Sequence, residues 1–245
     1  DFEPGEIRIL MDAVYSFPFI PEKQSLDLIK KLKDKLSIYE RKNLNYLNVI
    51  RDGRKTLNRQ VFYIIEELNK AIEEGVKVKF AYLKYNIEKS LVSRREKRYT
   101  VSPYGMVYTN GNYYLVCSLA YQKNLSLYRI DRMRDIELTN YKTDKVKENI
   151  NPIERVEGAV YAFLGQPERI KMICQAHILD YVLDSFGRDI QIREKEDGNI
   201  EIKFIAPAKG LIFWGLQYLP YVEIIEPVWV REKIIESISN NKYIE

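Results

Sequence analysis

From Tyr99 to Cys117 the chain reads YTVSPYGMVYTNGNYYLVC, two strand-like arms about one turn. Tyr99–Pro103 and Gly105–Tyr108 on one side, and Tyr113–Cys117 on the other, are apolar, tyrosine-rich runs around Asn110-Gly111. Asn-Gly is the strongest short hairpin signal, because a tight two-residue turn needs positive φ at both central positions. Upstream, Val76, Val78, Phe80 and Tyr82 alternate with Lys77 and Lys79, the period of a half-buried strand. Downstream, Leu125–Asp131 and Asp135–Asn140 read as two more strands. Five short consecutive strands are too few for a broad sandwich and most simply curl into a small barrel, which leaves few open edges.

Before the barrel the period is 3.6. Ile7, Leu10, Met11 and Val14 make one apolar stripe and Leu28, Ile29, Leu32 and Leu36 a second, with Pro18 and Pro21 breaking the chain between them. These residues predict a helical hairpin. Tyr39–Thr56 is polar without a clear period and takes no assignment. Leu57, Val61, Ile64, Ile65, Leu68 and Ile72 predict a third helix, capped by Gly75. After the barrel, Thr143–Val156 is charged, carries Pro152 and reads as a linker. Beyond it come strand Arg169–Gln175, helix His177–Phe186, strand Ile190–Glu194, an Asp197-Gly198 turn, strand Ile200–Ile205, helix Lys209–Tyr218, strand Val222–Ile225 and helix Val228–Ser239. The order β-α-β-β-α-β is that of a ferredoxin-like split βαβ unit with one added helix.

Composition narrows the function classes. The 245 residues are 46% apolar and 30% charged, enough to bury a sizeable core and unlike a disordered chain. No run approaches the ~18 consecutive apolar residues of a membrane helix, and the N-terminus lacks a basic-then-apolar signal region, so a cytoplasmic protein is expected. Cys117 and Cys174 lie too far apart in sequence for a CxxC pair and read as inert core thiols. The single histidine, His177, removes multi-histidine metal sites and the usual hydrolytic triads. Cys174-x-x-His177 would be half a metal site with no second half. Nucleotide-binding glycine loops and nucleophile-elbow patterns are absent. No enzyme, cofactor or metal is expected.

What remains is a charge pattern. Net charge is only +4, but six basic residues against two acids lie between Lys84 and Arg98. The barrel also concentrates Tyr82, Tyr85, Tyr99, Tyr104, Tyr108, Tyr113, Tyr114, Tyr121 and Tyr128 among Arg94, Arg95, Arg98, Arg129, Arg132 and Arg134. Aromatics interleaved with arginine stack bases and pair with phosphates. Tyrosine also belongs in strands by packing alone. Trp214 and Trp229 are expected to pack the C-terminal helices. Arg129 and Arg132, three apart on one strand, are expected on opposite faces unless a bulge intervenes.

Four motifs in order, Phe80-Ala-Tyr82, Ser102-Pro-Tyr-Gly105, Tyr113-Tyr-Leu115 and Tyr128-Arg-Ile-Asp-Arg-Met133, resemble those of the WYL domain, named for its Trp-Tyr-Leu triplet. Tyr113 stands in the tryptophan's place. The likeness covers about residues 71–140, and the C-terminal unit resembles the extension common in WYL-containing bacterial transcriptional regulators. Glu6–Val14 through Lys31–Ser37 resembles the helical connector that these proteins place after a winged helix-turn-helix. That DNA-reading domain is absent here, and a chain opening at Asp1 reads as a piece of a longer protein.

The resemblance implies an α+β protein: a helical connector (1–70), an Sm-like or SH3-like five-stranded barrel (71–142) and a ferredoxin-like α/β extension (155–245). It implies a sensor that binds a small anionic or nucleotide-like ligand, or single-stranded nucleic acid, and acts on DNA through the missing domain; a homodimer is expected because the connector helices and C-terminal unit carry more apolar stripe than one helical hairpin covers, and operators are commonly read by two-fold dimers. The positions carried over are Tyr82, Ser102, Tyr104, Tyr114, Arg129 and Arg132. Many members carry a pocket arginine two residues before the motif's aromatic, where this chain has Ser126, so either the anion contact shifts to Arg129 or Arg98 or the ligand differs in charge. Two other readings stay open, a stand-alone binder of single-stranded nucleic acid and a structural interaction module without ligand.

Overall fold

The computed structural model describes residues 2–43, 54–109, 111–119, 125–145, 163 and 165–243. It divides into two compact units, residues 1–145 and 146–245. In the first, α1 (Pro4–Ser16) and α2 (Glu22–Lys33) form the expected hairpin, burying Ile7, Met11 and Tyr15 against Ile29 and Leu36. The second helix ends at Lys33, one turn earlier than its stripe suggests, and Leu36 packs from the turn after it. The link between the helices docks onto the barrel. Phe17 meets the Tyr108 ring edge-on at 5.3 Å, and Phe19 meets Tyr113 at 5.2 Å.

The unassigned stretch opens with a short α3 (Ile38–Asn43), and residues 44–53 lie outside the described residues. The next helix, α4 (Val61–Glu74), starts later than its apolar stripe predicts, because Asn58 stops it. The Asn58 Oδ1 accepts the Gln60 N–H at 3.0 Å, while its Nδ2 donates to the carbonyls of Asp131 and Met133 at 3.1 and 2.6 Å. Leu57 is thereby left outside the helix and 62% exposed. At the other end Gly75 adopts φ +61, the left-handed cap that lets the chain turn at once into a strand.

The sheet has six strands rather than five: β1 (Val76–Tyr85), β2 (Leu91–Ser93), β3 (Tyr99–Thr109), β4 (Asn112–Leu119), β5 (Leu125–Arg129) and β6 (Met133–Lys142). The additional strand, β2, lies inside the basic tract and pairs with the end of β1. All pairings are antiparallel, in the order β2-β1-β3-β4-β5, with β6 also on β1. A single 3₁₀ turn, Ile130–Arg132, joins β5 to β6, so the two ends of the sheet are drawn together into a curled half-barrel. Residues Val78, Phe80, Val101, Leu115, Ile130 and Met133 fill it, and Ile64 and Leu68 of α4 cover it.

The β3–β4 hairpin forms as its sequence demands, with Thr109 opposite Asn112 and Gly111 at φ +72; Asn110 lies outside the described residues. Pro103 does not split β3 into two strands. Pro103 pairs with Cys117 and Gly105 with Val116, which leaves Tyr104 as the extra residue of a bulge and re-aims its side chain.

In the second unit the elements are β7 (Pro167–Gln175), α5 (Leu179–Phe186), β8 (Gln191–Glu194), β9 (Asn199–Pro207), α6 (Leu211–Gln217), β10 (Val222–Glu226) and α7 (Val228–Ser239). They build an antiparallel sheet in the order β10-β7-β9-β8. Ile170, Met172, Cys174, Ile200, Ile202 and Ile224 point to a core closed by Val182, Leu211, Trp214 and Val230. Trp229 differs from its expected packing role. It stays at the surface and donates its indole N–H to Glu168 Oε2 at 3.0 Å. The linker beyond residue 145, Pro152 included, lies outside the described residues. Among the described residues no helix is long and apolar enough to cross a membrane.

Candidate functional site

The 3₁₀ turn after β5 overturns the expectation for the two arginines. A strand would send Arg129 and Arg132 to opposite faces, but the turn inserts a coil between them and both converge on Asp131, whose side chain is only 3% exposed. Arg129 grips the carboxylate in a fork, Nε to Oδ1 at 2.9 Å and Nη2 to Oδ2 at 2.8 Å. Arg132 adds its charge with Nε at 3.8 Å from Oδ2, and its guanidinium lies 4.3 Å from the centroid of the Tyr85 ring. Burial works against the charge on Arg129, but the Asp131 bonds and charge outweigh it and hold the guanidinium above its ordinary pKa.

Asp131 supplies one negative charge to two guanidinium groups, so a surplus positive charge remains. The fork uses two of Arg129's five N–H donors, leaving the Nη1 edge for another acceptor. Arg129 lines a cavity of about 740 Å³. Pro18, Arg54–Leu57, Tyr85, Asn86, Lys89, Gly111 and Asn112 line it together with Arg129, Asp131 and Arg132.

Elements distant in sequence build this cavity. The 54–57 segment is pinned by Thr56 N–H to the Pro18 carbonyl at 2.8 Å. Lys55 spends its three donors on Phe17 O, Ile20 O and Ser25 Oγ, so it braces the wall. Lys89 sits at φ +62 in the turn between β1 and β2, a left-handed conformation that costs a side-chain-bearing residue about 1–2 kcal/mol. Asn86 holds that turn, its Oδ1 accepting the Ser90 N–H at 2.8 Å.

The sequence-predicted residues separate into two groups. Tyr82 and Tyr114 stand behind Arg129. Tyr82 accepts the Arg129 backbone N–H at 3.2 Å, and Tyr114 pairs with Arg129 across β4 and β5. Burial raises both phenol pKa values, so both are neutral donors. Tyr82 also packs edge-on against Tyr128 at 4.9 Å, within a cluster with Phe80 and Tyr99.

Ser102, Tyr104 and Arg98 are not among the cavity-lining residues. Ser102 and Tyr104 bond to Asp144. Arg98 donates Nη1 to Glu137 Oε2 at 2.9 Å and Nη2 to the carbonyls of Asp135 and Lys79, joining β1, β3 and β6 as a strut. Its neighbour Arg95 lies 3.5 Å from the centroid of the Tyr99 ring.

Sequence reasoning missed Arg54, Asn86 and Asn112, and counted Tyr85 and Lys89 only within larger clusters. The basic tract carried a signal for Lys89; nothing local marked the 54–57 segment. The two thiols are buried, with the Cys174 pKa pushed up to about 12, as expected of unreactive core cysteines. No cluster able to hold a metal ion occurs among the described residues.

Residues 63–138 match the WYL domain family. Among curated proteins none matches. The solved structure of proteasome accessory factor B/C (PafBC) of Arthrobacter aurescens is similar at 14% identity and a TM-score of 0.31, with 97% of this chain and 36% of that one covered. The chain thus spans about a third of that protein's length. The half-barrel that carries the Arg129–Asp131–Arg132 turn is a WYL domain.

Proposed function

We propose that this chain is the sensing part of a bacterial transcriptional regulator, and that its WYL domain takes a nucleotide-like anion or a short single strand of nucleic acid in the cavity lined by Arg129, Arg132, Tyr85 and Lys89. The observation that carries the reading is the turn itself. A buried carboxylate draws two guanidinium groups together in the lining of one cavity and leaves excess positive charge and further N–H donors there, with an aromatic ring in the same lining. Such an arrangement binds a phosphate and stacks a base, and a fixed guanidinium loses little entropy in doing so. Tyr82 and Tyr114 set the position of Arg129 from behind.

The finer architecture fits the same reading. The half-barrel closed by a 3₁₀ turn supports an Sm-like barrel (71–142) after a helical connector (1–70). The strand order β10-β7-β9-β8 supports a ferredoxin-like extension (155–245). The protein is non-enzymatic and cytoplasmic, and it reads duplex DNA through a domain outside this chain. A homodimer is favoured by Ile9 and Leu26, which stay 70% and 51% exposed on the helical hairpin.

The test is equilibrium binding of labelled oligothymidylate and of a duplex of equal length to this chain. The single strand should bind more tightly, with a log–log salt slope of about −1.5 to −2, the value for two or three phosphate contacts on a single strand. Arg132→Gln should weaken binding roughly ten- to a hundredfold and flatten the slope by about 0.7. Sequence-selective, sub-micromolar duplex binding by the chain alone would overturn the reading. So would oligonucleotide binding unaffected by Arg132→Gln and Lys89→Gln together.

A further inference from the structure

Ser102 and Tyr104 stand apart from the cavity, and what they hold is one residue, Asp144. Asp144, just beyond the end of β6, has its Oδ1 2.7 Å from Lys77 Nζ, while its Oδ2 accepts the Ser102 hydroxyl at 3.1 Å. Its backbone N–H donates to Ser102 Oγ at 2.9 Å, and its carbonyl accepts from the Tyr104 hydroxyl at 3.0 Å. Tyr104 has one proton and gives it to that carbonyl, so the 2.6 Å contact between Tyr104 and Ser118 is a donation by Ser118. Lys77, Ser102, Tyr104 and Ser118 thus form one connected set, contributed by strands β1, β3 and β4.

Burial is unequal across this contact. Ser102 is fully buried and the Lys77 side chain only 14% exposed, whereas the Asp144 side chain is 46% exposed. The donors are held by the sheet whether or not Asp144 is there: Ser102 pairs with Ser118 in the β3–β4 register, and the bulge at Tyr104 is built by strand pairing. The acceptor comes from the segment after the last strand and reaches the donors from the solvent side. A buried serine hydroxyl and a mostly buried ammonium with no acceptor would carry a desolvation penalty, so the set requires an anion. The Asp144 carboxyl is held below its ordinary pKa by Lys77 and Ser102, so it serves as that anion at neutral pH.

We propose that Lys77 and Ser102 form a second oxyanion site, separate from the arginine cavity, which the chain fills with its own Asp144 and which a small carboxylate or phosphate opens by displacement. Asp144 is a tethered competitor. One cationic and one hydroxyl donor match two oxygens of a carboxylate or a phosphate, while Tyr104 holds the Asp144 backbone carbonyl beside them. A ligand there would free Asp144 and with it the end of β6. This proposal does not depend on what occupies the arginine cavity.

The experiment is calorimetric titration of the full chain with sodium phosphate and, separately, sodium acetate, at constant ionic strength set by chloride. A tethered group competes at an effective concentration in the millimolar range or above. Asp144→Ala should therefore tighten binding of at least one of the two anions by roughly tenfold or more. Which anion gains identifies the ligand class, and adding Lys77→Met should remove the gain. A thermal melt accompanies each variant. If Asp144→Ala fails to melt cooperatively, Asp144→Asn is read in its place, since it keeps the shape and loses the charge. Affinities for both anions within twofold of the unaltered chain would overturn the proposal, as would a gain that survives Lys77→Met. The gain produced by Asp144→Ala should be equally large in an Arg132→Gln background, which separates this site from the arginine cavity.

Discussion

Truncating Arg129 should destabilise the barrel, although its resemblance-based role alone suggests a ligand contact whose loss leaves stability intact. The Asp131 carboxylate is 3% exposed and takes two hydrogen bonds, at 2.9 and 2.8 Å, from Arg129. In Arg129→Ala its nearest remaining cation is Arg132 at 3.8 Å. Removing one partner of a buried ion pair costs about 3–5 kcal/mol because a charge is left uncompensated. Arg129 itself is a third exposed, and Arg132 remains nearby, so part of that cost is screened. We expect about 2–3 kcal/mol, or a Tm lower by roughly 5–10 °C for a unit of this size. Asp131→Asn should cost about 1 kcal/mol, because the guanidinium it releases is able to hydrate. The double variant Arg129→Ala/Asp131→Asn should recover most of the loss. Urea unfolding of the four proteins measures the coupling, and it should exceed about 1 kcal/mol. Additive single effects, or an Arg129→Ala variant within about 0.5 kcal/mol of the parent, would refute the argument that Asp131 depends on Arg129.

Three further outcomes are expected. Asn58→Ala removes the buried amide that bonds to the carbonyls of Asp131 and Met133, so it should cost about 1–3 kcal/mol in urea and also weaken oligonucleotide binding by loosening the 3₁₀ turn. Lys89→Gly relieves a left-handed side-chain-bearing residue and should raise stability by up to about 1 kcal/mol while weakening binding, a split visible by comparing melts with titrations. Burial raises the Tyr128 pKa from its usual 10 to about 12, which favours the neutral phenol in the folded state. Its contribution to stability is present in full below pH 10 and is lost as pH climbs from there through about 12. Urea midpoints across that range should fall, and fall less in Tyr128→Phe.

The sequence revealed much of the framework because its signals are local. Asn110-Gly111 sets a hairpin through backbone conformation alone, Gly75 ends a helix by the same means, and the two-residue period of Val76–Tyr82 leaves one choice of buried face. Three residues, Leu91–Ser93, were too few to show a period inside a basic tract.

The candidate site was legible as a composition but not as a geometry. The turn at Ile130–Arg132 is stabilised by Asn58, more than seventy positions upstream, and no local pattern encodes that contact. Ser102, Tyr104 and Arg98 look like ligand donors in any motif, yet their partners are Asp144, Glu137 and two carbonyls supplied by other parts of the chain. A side chain's hydrogen-bonding capacity is readable from its type; whether the fold has already used it is set by long-range packing. Trp229 illustrates the same limit, since Glu168, brought near by the fold, satisfies its indole N–H at the surface.

The most direct test of the arginine cavity is a heteronuclear NMR titration of the guanidinium Nε–Hε resonances with a short oligothymidylate. Arg129 and Arg132 should shift together and saturate at the same concentration, with Tyr85 ring resonances shifting in step. The Arg98 signal, tied to Glu137 and two carbonyls, should stay in place. Saturable shifts confined to residues outside the cavity, with Arg129 and Arg132 unmoved, would contradict binding there.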